Sequence, residues 1–336
     1  MNTNNKFNYL ANTNIANLTN LITDTADLTD IQIKTVEELQ QIDINISLRE
    51  TRENIERITF GIDSLDILFG EYEYCIEQQS AILKPGFCMQ DIILLCGMSG
   101  TGKTTCAMNL FAKLYKKKIR TCFLSLDMRE DRTWDFFRNA LVGFNSSGED
   151  FIDQLAIFGK PNIISSKSVK FEDVTIFRID DYLTKLSQTY MLPQVIFIDY
   201  IDMIRPTQKK MLPKEHFKYL FLELKALAQK HNCSFVILSQ STEDKGYRQG
   251  RPTLSNVYGG KEVRSAVDHV IAVYRNYNYN EKLPIDFRNI SEIIGLKLRS
   301  NASERTAYVR FNNGIMENIS YLEICSYRTA ISNSNK

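Results

Sequence analysis

The run Gly97-Met98-Ser99-Gly100-Thr101-Gly102-Lys103-Thr104 follows an apolar stretch that ends at Cys96. Glycines at this spacing let the backbone turn tightly, so that successive N–H groups converge on one point, and a helix starting directly after them adds its positive end. Such a loop suits a polyphosphate. In the pattern GxxxxGK[ST], Lys103 reaches the β- and γ-phosphates and the Thr104 hydroxyl ligates Mg²⁺. The expected cofactors are therefore ATP and Mg²⁺. Gly97, Met98, Ser99, Gly100, Thr101, Gly102, Lys103, Thr104 and Thr105 form the nucleotide-binding set.

A second carboxylate-bearing run, Val195-Ile196-Phe197-Ile198-Asp199, has four residues of buried type before an acid. A strand of this kind delivers Asp199 to the metal shell beside Thr104, although an Asp after a strand can also merely cap a turn. Hydrolysis further needs a group that orients water or accepts its proton. Asp127, after the apolar run Thr121 to Leu126, is the candidate, with Glu130 in reserve. Gln240 follows the run Ser234 to Leu238, where an amide could sense the γ-phosphate.

These groups need a scaffold of alternating strands and helices. Apolar runs predict strands over Asp91 to Cys96, Thr121 to Leu126, Gln194 to Ile198, Ser234 to Leu238, His269 to Tyr274, Glu292 to Leu298 and Thr306 to Phe311. Helical periodicity covers Lys103 to Tyr115, Asp131 to Val142, Phe177 to Tyr190 and Lys214 to Lys230. The alternation implies an α/β domain with a mostly parallel central sheet flanked by helices. Residues 1 to 30 are rich in Asn and Thr and read as a mobile tail. Val36, Leu39, Ile42, Ile46 and Ile55 recur at loosely helical spacing, and the mostly polar residues from Ser326 read as frayed. The expected division is a tail and linker helix over 1–57, an α/β nucleotide-binding domain over 58–320 and a C-terminal tail over 321–336.

Bulk composition excludes little. The 336 residues are 43% hydrophobic and 24% charged, with a formal charge of +1. Residues 1–56 carry 4 basic and 9 acidic side chains, which leaves 37 against 31 for the remainder, a mildly basic core. Seven cysteines without a CxxC pair read as reduced thiols, with neither zinc site nor disulfide expected. No window reaches the ~18 uninterrupted apolar residues of a membrane span, and the start lacks a signal-peptide pattern, so a cytoplasmic protein is expected.

Taken in order, the motifs resemble the motor domain of DnaB-type replicative helicases and the related phage primase–helicases, which share a RecA-like P-loop fold. Ile58-Thr59-Phe60-Gly61-Ile62-Asp63-Ser64-Leu65-Asp66 resembles the family's entry segment. Leu124-Ser125-Leu126-Asp127-Met128 resembles its Ser-Leu-Glu-Met strand end, and Ile198-Asp199-Tyr200-Ile201-Asp202-Met203-Ile204 its Walker B run. Leu238-Ser239-Gln240 is similar to its sensor strand, and Gly259 to Asp268 lies where the family has a helix ending in Asp before a strand. Gly295-Leu296-Lys297-Leu298-Arg299-Ser300-Asn301 resembles its Lys-x-Arg-Asn segment.

The resemblance implies a homo-oligomeric ring, usually of six, with nucleotide at each junction and single-stranded DNA through the centre. It makes Lys297 and Arg299 fingers that act on the neighbouring subunit's γ-phosphate. Loops after the Walker B and sensor strands face the channel in RecA-type rings. Here the first holds Arg205, Lys209 and Lys210, and the second holds Lys245, Arg248 and Arg251 with Tyr247 between mobile glycines. Both suit a salt-sensitive track for phosphates. Three departures stand out: Asp127 replaces the family's Glu, Glu71 to Leu83 is an insertion, and about 57 residues stand where relatives carry an N-terminal or primase domain. Docking of replication proteins through those domains is therefore not assumed. The expected activity is that of an ATP-hydrolysing DNA helicase. The alternatives are a recombinase-like filament on single-stranded DNA and a regulatory ATPase that switches protein partners.

Overall fold

Residues 56–334 are described by a computed structural model, apart from 76–79, 166–173, 190–191, 207–212, 242–250, 258–259 and 300–304. The expected tail and linker helix before Glu56 lie outside the described residues. The described chain opens with β1 (Arg57–Ile58), α1 (Asp63–Phe69), the pair β2 (Glu71–Cys75) and β3 (Ser80–Lys84), and β4 (Phe87–Cys88). Then come β5 (Ile92–Gly97), α2 (Lys103–Lys116), β6 (Thr121–Ser125), α3 (Glu130–Val142), α4 (Gly148–Phe158), β7 (Asn162–Ser165) and α5 (Ile176–Ser187). The second half holds β8 (Val195–Asp199), α6 (Pro213–Lys230), β9 (Ser234–Gln240), α7 (Gly260–Ala266) and β10 (His269–Tyr274). It closes with β11 (Ile290–Lys297), β12 (Thr306–Asn312), β13 (Ile315–Asn318) and α8 (Tyr321–Ser334).

Nine strands form one sheet in the order β13-β12-β11-β10-β5-β9-β8-β6-β7. The six from β10 to β7 are parallel, and β11, β12 and β13 extend the sheet as antiparallel neighbours. Strands covered on both faces must be apolar at every position, and β5, β8 and β10 are buried throughout. Alternate residues feed two cores. Ile93, Leu95, Val195 and Phe197 face α2 and α3, where Leu110, Phe111 and Phe137 sit. Ile92, Leu94, Ile196 and Ile198 face α5 and α6, which contribute Ile179, Leu183, Phe217, Leu220 and Leu224. Phe111 makes edge contacts with Phe123, Phe137 and Phe197. Each such buried ring contributes about 1.5–3 kcal/mol over an exposed one.

The seven expected strands and four expected helices are present, displaced at their ends by up to two residues in strands and three in helices. Two segments differ from expectation. Glu71 to Leu83, read as an insertion, forms an antiparallel hairpin outside the main sheet, with Tyr72 opposite Leu83. The C-terminus is helical where fraying was expected, because Ser320 and Glu323 cap α8 reciprocally. Tyr327 is fully buried against Leu283, Ile290 and Tyr308, with Ile324 and Ile331 packed beside it. The polar residues from Ser326 onward thus cover the outer face of a helix that is anchored by one aromatic side chain.

Tyr327→Ala should cost about 3–5 kcal/mol in chemical denaturation, the range for truncating a buried aromatic ring. A loss below about 1 kcal/mol would mean that α8 is no part of the folded core.

Candidate nucleotide site

The phosphate loop is held from two sides. Gly97 closes β5 so tightly against β10 that a Cβ there would stand 2.9 Å from both Val273 O and Thr101 Oγ1. Gly102 is the N-cap of α2 in the left-handed region at φ 91°, a conformation that costs a non-glycine residue about 1–2 kcal/mol. No side chain caps that helix. Its first N–H groups are therefore free for an anion, as a phosphate cradle requires. Lys103 folds over the loop, its Nζ donating to Gly97 O and Met98 O at 2.9 Å each. Burial lowers the Lys103 pKa, and the nearby Asp199 charge opposes that shift.

Thr104 Oγ1 donates to Asp199 Oδ2 at 2.9 Å, joining the helix start to the end of β8. Asp199 is 6% exposed. Burial pushes its carboxyl up to about 6, Thr104 works against the shift, and the charge on Asp127 adds to it. A hydroxyl beside a desolvated carboxylate is a hard oxygen pair that fits Mg²⁺, and a divalent cation there would hold Asp199 ionised.

Asp127 reaches the same place by backbone geometry. Ser125 pairs with Asp199 across β6 and β8, and Leu126 N–H donates to Asp199 O at 2.7 Å. The exposed Asp127 follows directly. Ser125 Oγ and Thr133 Oγ1 share a buried hydrogen bond of 2.9 Å that draws α3 against β6, with Glu130 opening that helix. Gln240 is the Cα partner of Gly97 at the end of β9, and Ser241 N–H donates to Gly97 O at 3.1 Å. Lys103, Thr104, Asp127, Asp199 and Gln240 thus gather at the carboxyl end of the parallel strands, where open α/β sheets bind ligands.

Lys297 and Arg299 lie elsewhere. Antiparallel β11 brings Lys297 opposite Val270, and its Nζ donates to Arg264 O and Val267 O at the end of α7. Arg299 NH1 donates to Asp91 Oδ1 at 3.2 Å and Asp268 Oδ1 at 3.1 Å. Asp91 precedes β5, so Arg299 stands about 20 Å of strand away from the phosphate loop of its own chain, at ~3.3 Å per residue. Asp91 also accepts from Cys88 N–H and pairs with His269 Nε2, while Asp268 accepts from Ile92 N–H and Lys225.

Among the expected nucleic-acid residues, Arg205 is exposed at the end of the turn after β8, its N–H donating to Val174 O at 2.8 Å. The Arg251 guanidinium is held by Glu292 and Thr306. Lys209, Lys210, Lys245, Tyr247 and Arg248 lie outside the described residues. One contact went unread in the sequence. Asn278, in the turn after β10, donates to Gly100 O of the phosphate loop at 3.5 Å, and no local motif marks a partner 178 residues distant.

The sheet order and this constellation define a P-loop nucleotide-binding protein with a RecA-like core. Residues 78–318 match the model for the DnaB-like helicase C terminal domain, and the chain belongs to that family. The Replicative DNA helicase DnaB of Rickettsia conorii is 24% identical over 276 residues, covering 76% of this chain and 54% of that protein. The Helicobacter pylori protein of the same name is 24% identical over 203 residues, covering 58% of this chain and 42% of its own length. The chain spans about half the length of the curated relatives it matches. Among solved structures, one described as an ATPase domain superposes with a TM-score of 0.63 at 16% identity, covering 86% of this chain and 100% of that one. A DnaB-like replicative helicase, described with its interactions with primase, gives 0.66 at 16% identity, covering 93% and 73%. At that identity the two structures establish the fold.

Thr104→Val should weaken nucleotide affinity in the presence of Mg²⁺ by about tenfold or more, the equivalent of ~1.4 kcal/mol. Affinity in EDTA should be unchanged; an equal loss there would place Thr104 in the phosphate cradle alone.

Proposed function

We propose that this chain is an ATP-driven motor that moves along single-stranded DNA as a homo-oligomeric ring, in the manner of a DnaB-like replicative helicase. The carrying observation is the placement of Asp199, Thr104, Lys103 and Asp127 at one end of the parallel sheet, with Gln240 beside Gly97 at the end of β9. In hydrolysis, a water oxygen bonds to the γ-phosphorus, the bond to the β–γ bridging oxygen breaks, and ADP and phosphate leave. Asp127 orients the water and accepts its proton. Lys103 and the N–H groups of the loop and of α2 stabilise the charge gathering on the phosphate oxygens. Mg²⁺, held through Thr104 and Asp199, would neutralise charge on the β- and γ-phosphates.

Position also supports assembly. Lys297 and Arg299 are too far from their own phosphate loop to act in cis, whereas a second copy could bring its loop to them. On this reading the ring, six-membered in keeping with the family, completes each nucleotide site at a junction. Arg205, Lys209, Lys210, Lys245 and Arg248 form the phosphate track for the strand. Replication proteins are the natural partners of such a motor, and its place of work is the cytoplasm. Among the described residues, no helix is long and apolar enough to cross a membrane.

A second reading, a regulatory ATPase that switches protein partners, is favoured by one observation: both candidate finger side chains are engaged within their own chain. Steady-state ATP hydrolysis with and without single-stranded DNA separates the two. Marked stimulation supports the motor; an unchanged rate with hydrolysis intact supports the switch.

Asp127→Asn should lower kcat by about 10²–10⁴-fold with KM little changed. A comparable loss in Glu130→Gln, with Asp127→Asn active, would transfer the role to Glu130. Arg299→Ala should abolish hydrolysis and keep nucleotide binding. Mixing it with Lys103→Ala should restore part of the rate, because mixed junctions can pair an intact finger with an intact phosphate loop. Failure of mixing to restore activity would count against action in trans.

A further inference from the structure

Glu292 is a buried carboxylate that the hydrolytic chemistry does not use. It sits early in β11, opposite Tyr274, with its side chain 3% exposed. Both oxygens are engaged. Tyr327 Oη of α8 donates to Oε1 at 3.1 Å, and Arg251 NH1 donates to Oε2. Arg251 NH2 reaches Thr306 Oγ1 at 3.2 Å, and the guanidinium lies 5.6 Å from the centroid of the Tyr274 ring. The planar fork is thereby fixed by a charge-assisted bond, a hydroxyl and an aromatic face.

An arginine in this setting is poorly suited to gripping a nucleic-acid phosphate. To do so it would take from the buried Glu292 the cationic partner of its Oε2, and breaking a buried pair by removing one partner is costly. Arg251 instead fixes the point where the segment 242–250 rejoins the described core. The segment leaves the core at Ser241, whose N–H donates to Gly97 O at 3.1 Å. The two attachment points lead to the start and the middle of the phosphate loop. Ser241 touches Gly97 directly. From Arg251 the path runs over Tyr274 to Tyr279, stacked at 5.6 Å and 10°, and Asn278 beside it donates to Gly100 O.

We propose that Glu292 is a positioning residue that, by clamping Arg251, couples the segment 242–250 to the phosphate loop, and that Arg251 serves as this anchor and makes no nucleic-acid contact itself. The inference rests on the reading of the chain as a motor on single-stranded DNA. It assigns the buried carboxylate a task in transmission: the nucleotide state at Gly97 and Gly100 is felt at both roots of the segment that carries Lys245 and Arg248.

The test compares the full chain with its Glu292→Gln, Arg251→Gln and double variants. It measures ATP hydrolysis with and without a labelled oligodeoxythymidine, the salt dependence of oligonucleotide binding, and thermal melting. Expected for Glu292→Gln is a basal rate within about twofold of wild type and a loss of at least about fivefold in DNA stimulation. Arg251→Gln, which alters a half-exposed side chain and spares the core, should lose stimulation equally, and the double variant should be no worse than either single one. The slope of log affinity against log salt should stay at the wild-type value in both single variants. A fall of about 0.7 in that slope for Arg251→Gln, the signature of one lost single-strand phosphate contact, would overturn the proposal. So would full stimulation in Glu292→Gln, or an equal fall of basal and stimulated rates together with early melting. A wild type that neither binds nor responds to the oligonucleotide overturns the motor reading and this inference with it, whereas a responsive wild type with responsive variants overturns this inference alone.

Discussion

Asp199 is the last residue of a strand with no exposed position, and its carboxylate is desolvated enough to raise its proton affinity. Whatever occupies the space beside it must compensate that charge, and the hydroxyl of Thr104 does part of this now. The rest of the centre is arranged around the same atom group. The carbonyl of Asp199 receives the Leu126 amide, which sets the turn carrying Asp127; the side chain receives Thr104, which sets the start of α2. One residue thus aligns three elements from different parts of the chain. A shift of β8 by a single residue would move all of them, because alternate strand positions face opposite cores.

The antiparallel extension performs a different task. A purely parallel sheet would bring every strand end to the nucleotide edge. Strand β11 reverses direction next to β10, carrying Glu292 near the nucleotide edge and Lys297 toward the opposite one. Basic and acidic groups at that far edge, Lys225, Asp268, Arg299, Asp91 and His269, form a connected network around the start of β5. The same sheet therefore carries the phosphate loop at one edge and Arg299 at the other.

Much of this was legible in the residues. Runs such as Val195 to Ile198 have no polar interruption, so burial on both faces could be read directly, and the glycine spacing of Gly97 to Thr104 marks a loop between a strand and a helix. The C-terminal helix was misread because its outward residues are polar and a single aromatic, Tyr327, supplies the anchor; the Ser320–Glu323 capping pattern was the available signal. The hairpin of Glu71 to Leu83 was seen only as extra length, since mixed Glu and Tyr fit no clean period. Arg251 was assigned by its neighbours in sequence, whereas its partner Glu292 lies 41 residues away and is invisible to any local pattern. Long-range partners of charged groups are what a one-dimensional reading lacks: type and spacing reveal local geometry, and only the fold decides which charge is free.

The connectivity of β5 has a consequence for how the molecule comes into being. The strand that carries the phosphate loop is flanked by β9 and β10, and its first residue, Ile92, is bonded to Asp268, 176 residues further along the chain. Closing loops of that length carries an entropic cost before any contact rewards it, and such non-local pairing slows folding. During synthesis the glycine-rich loop emerges long before either of its strand neighbours exists. The loop is therefore completed late and together with the sheet, so a ligand bound there would report a finished domain and stabilise only that state.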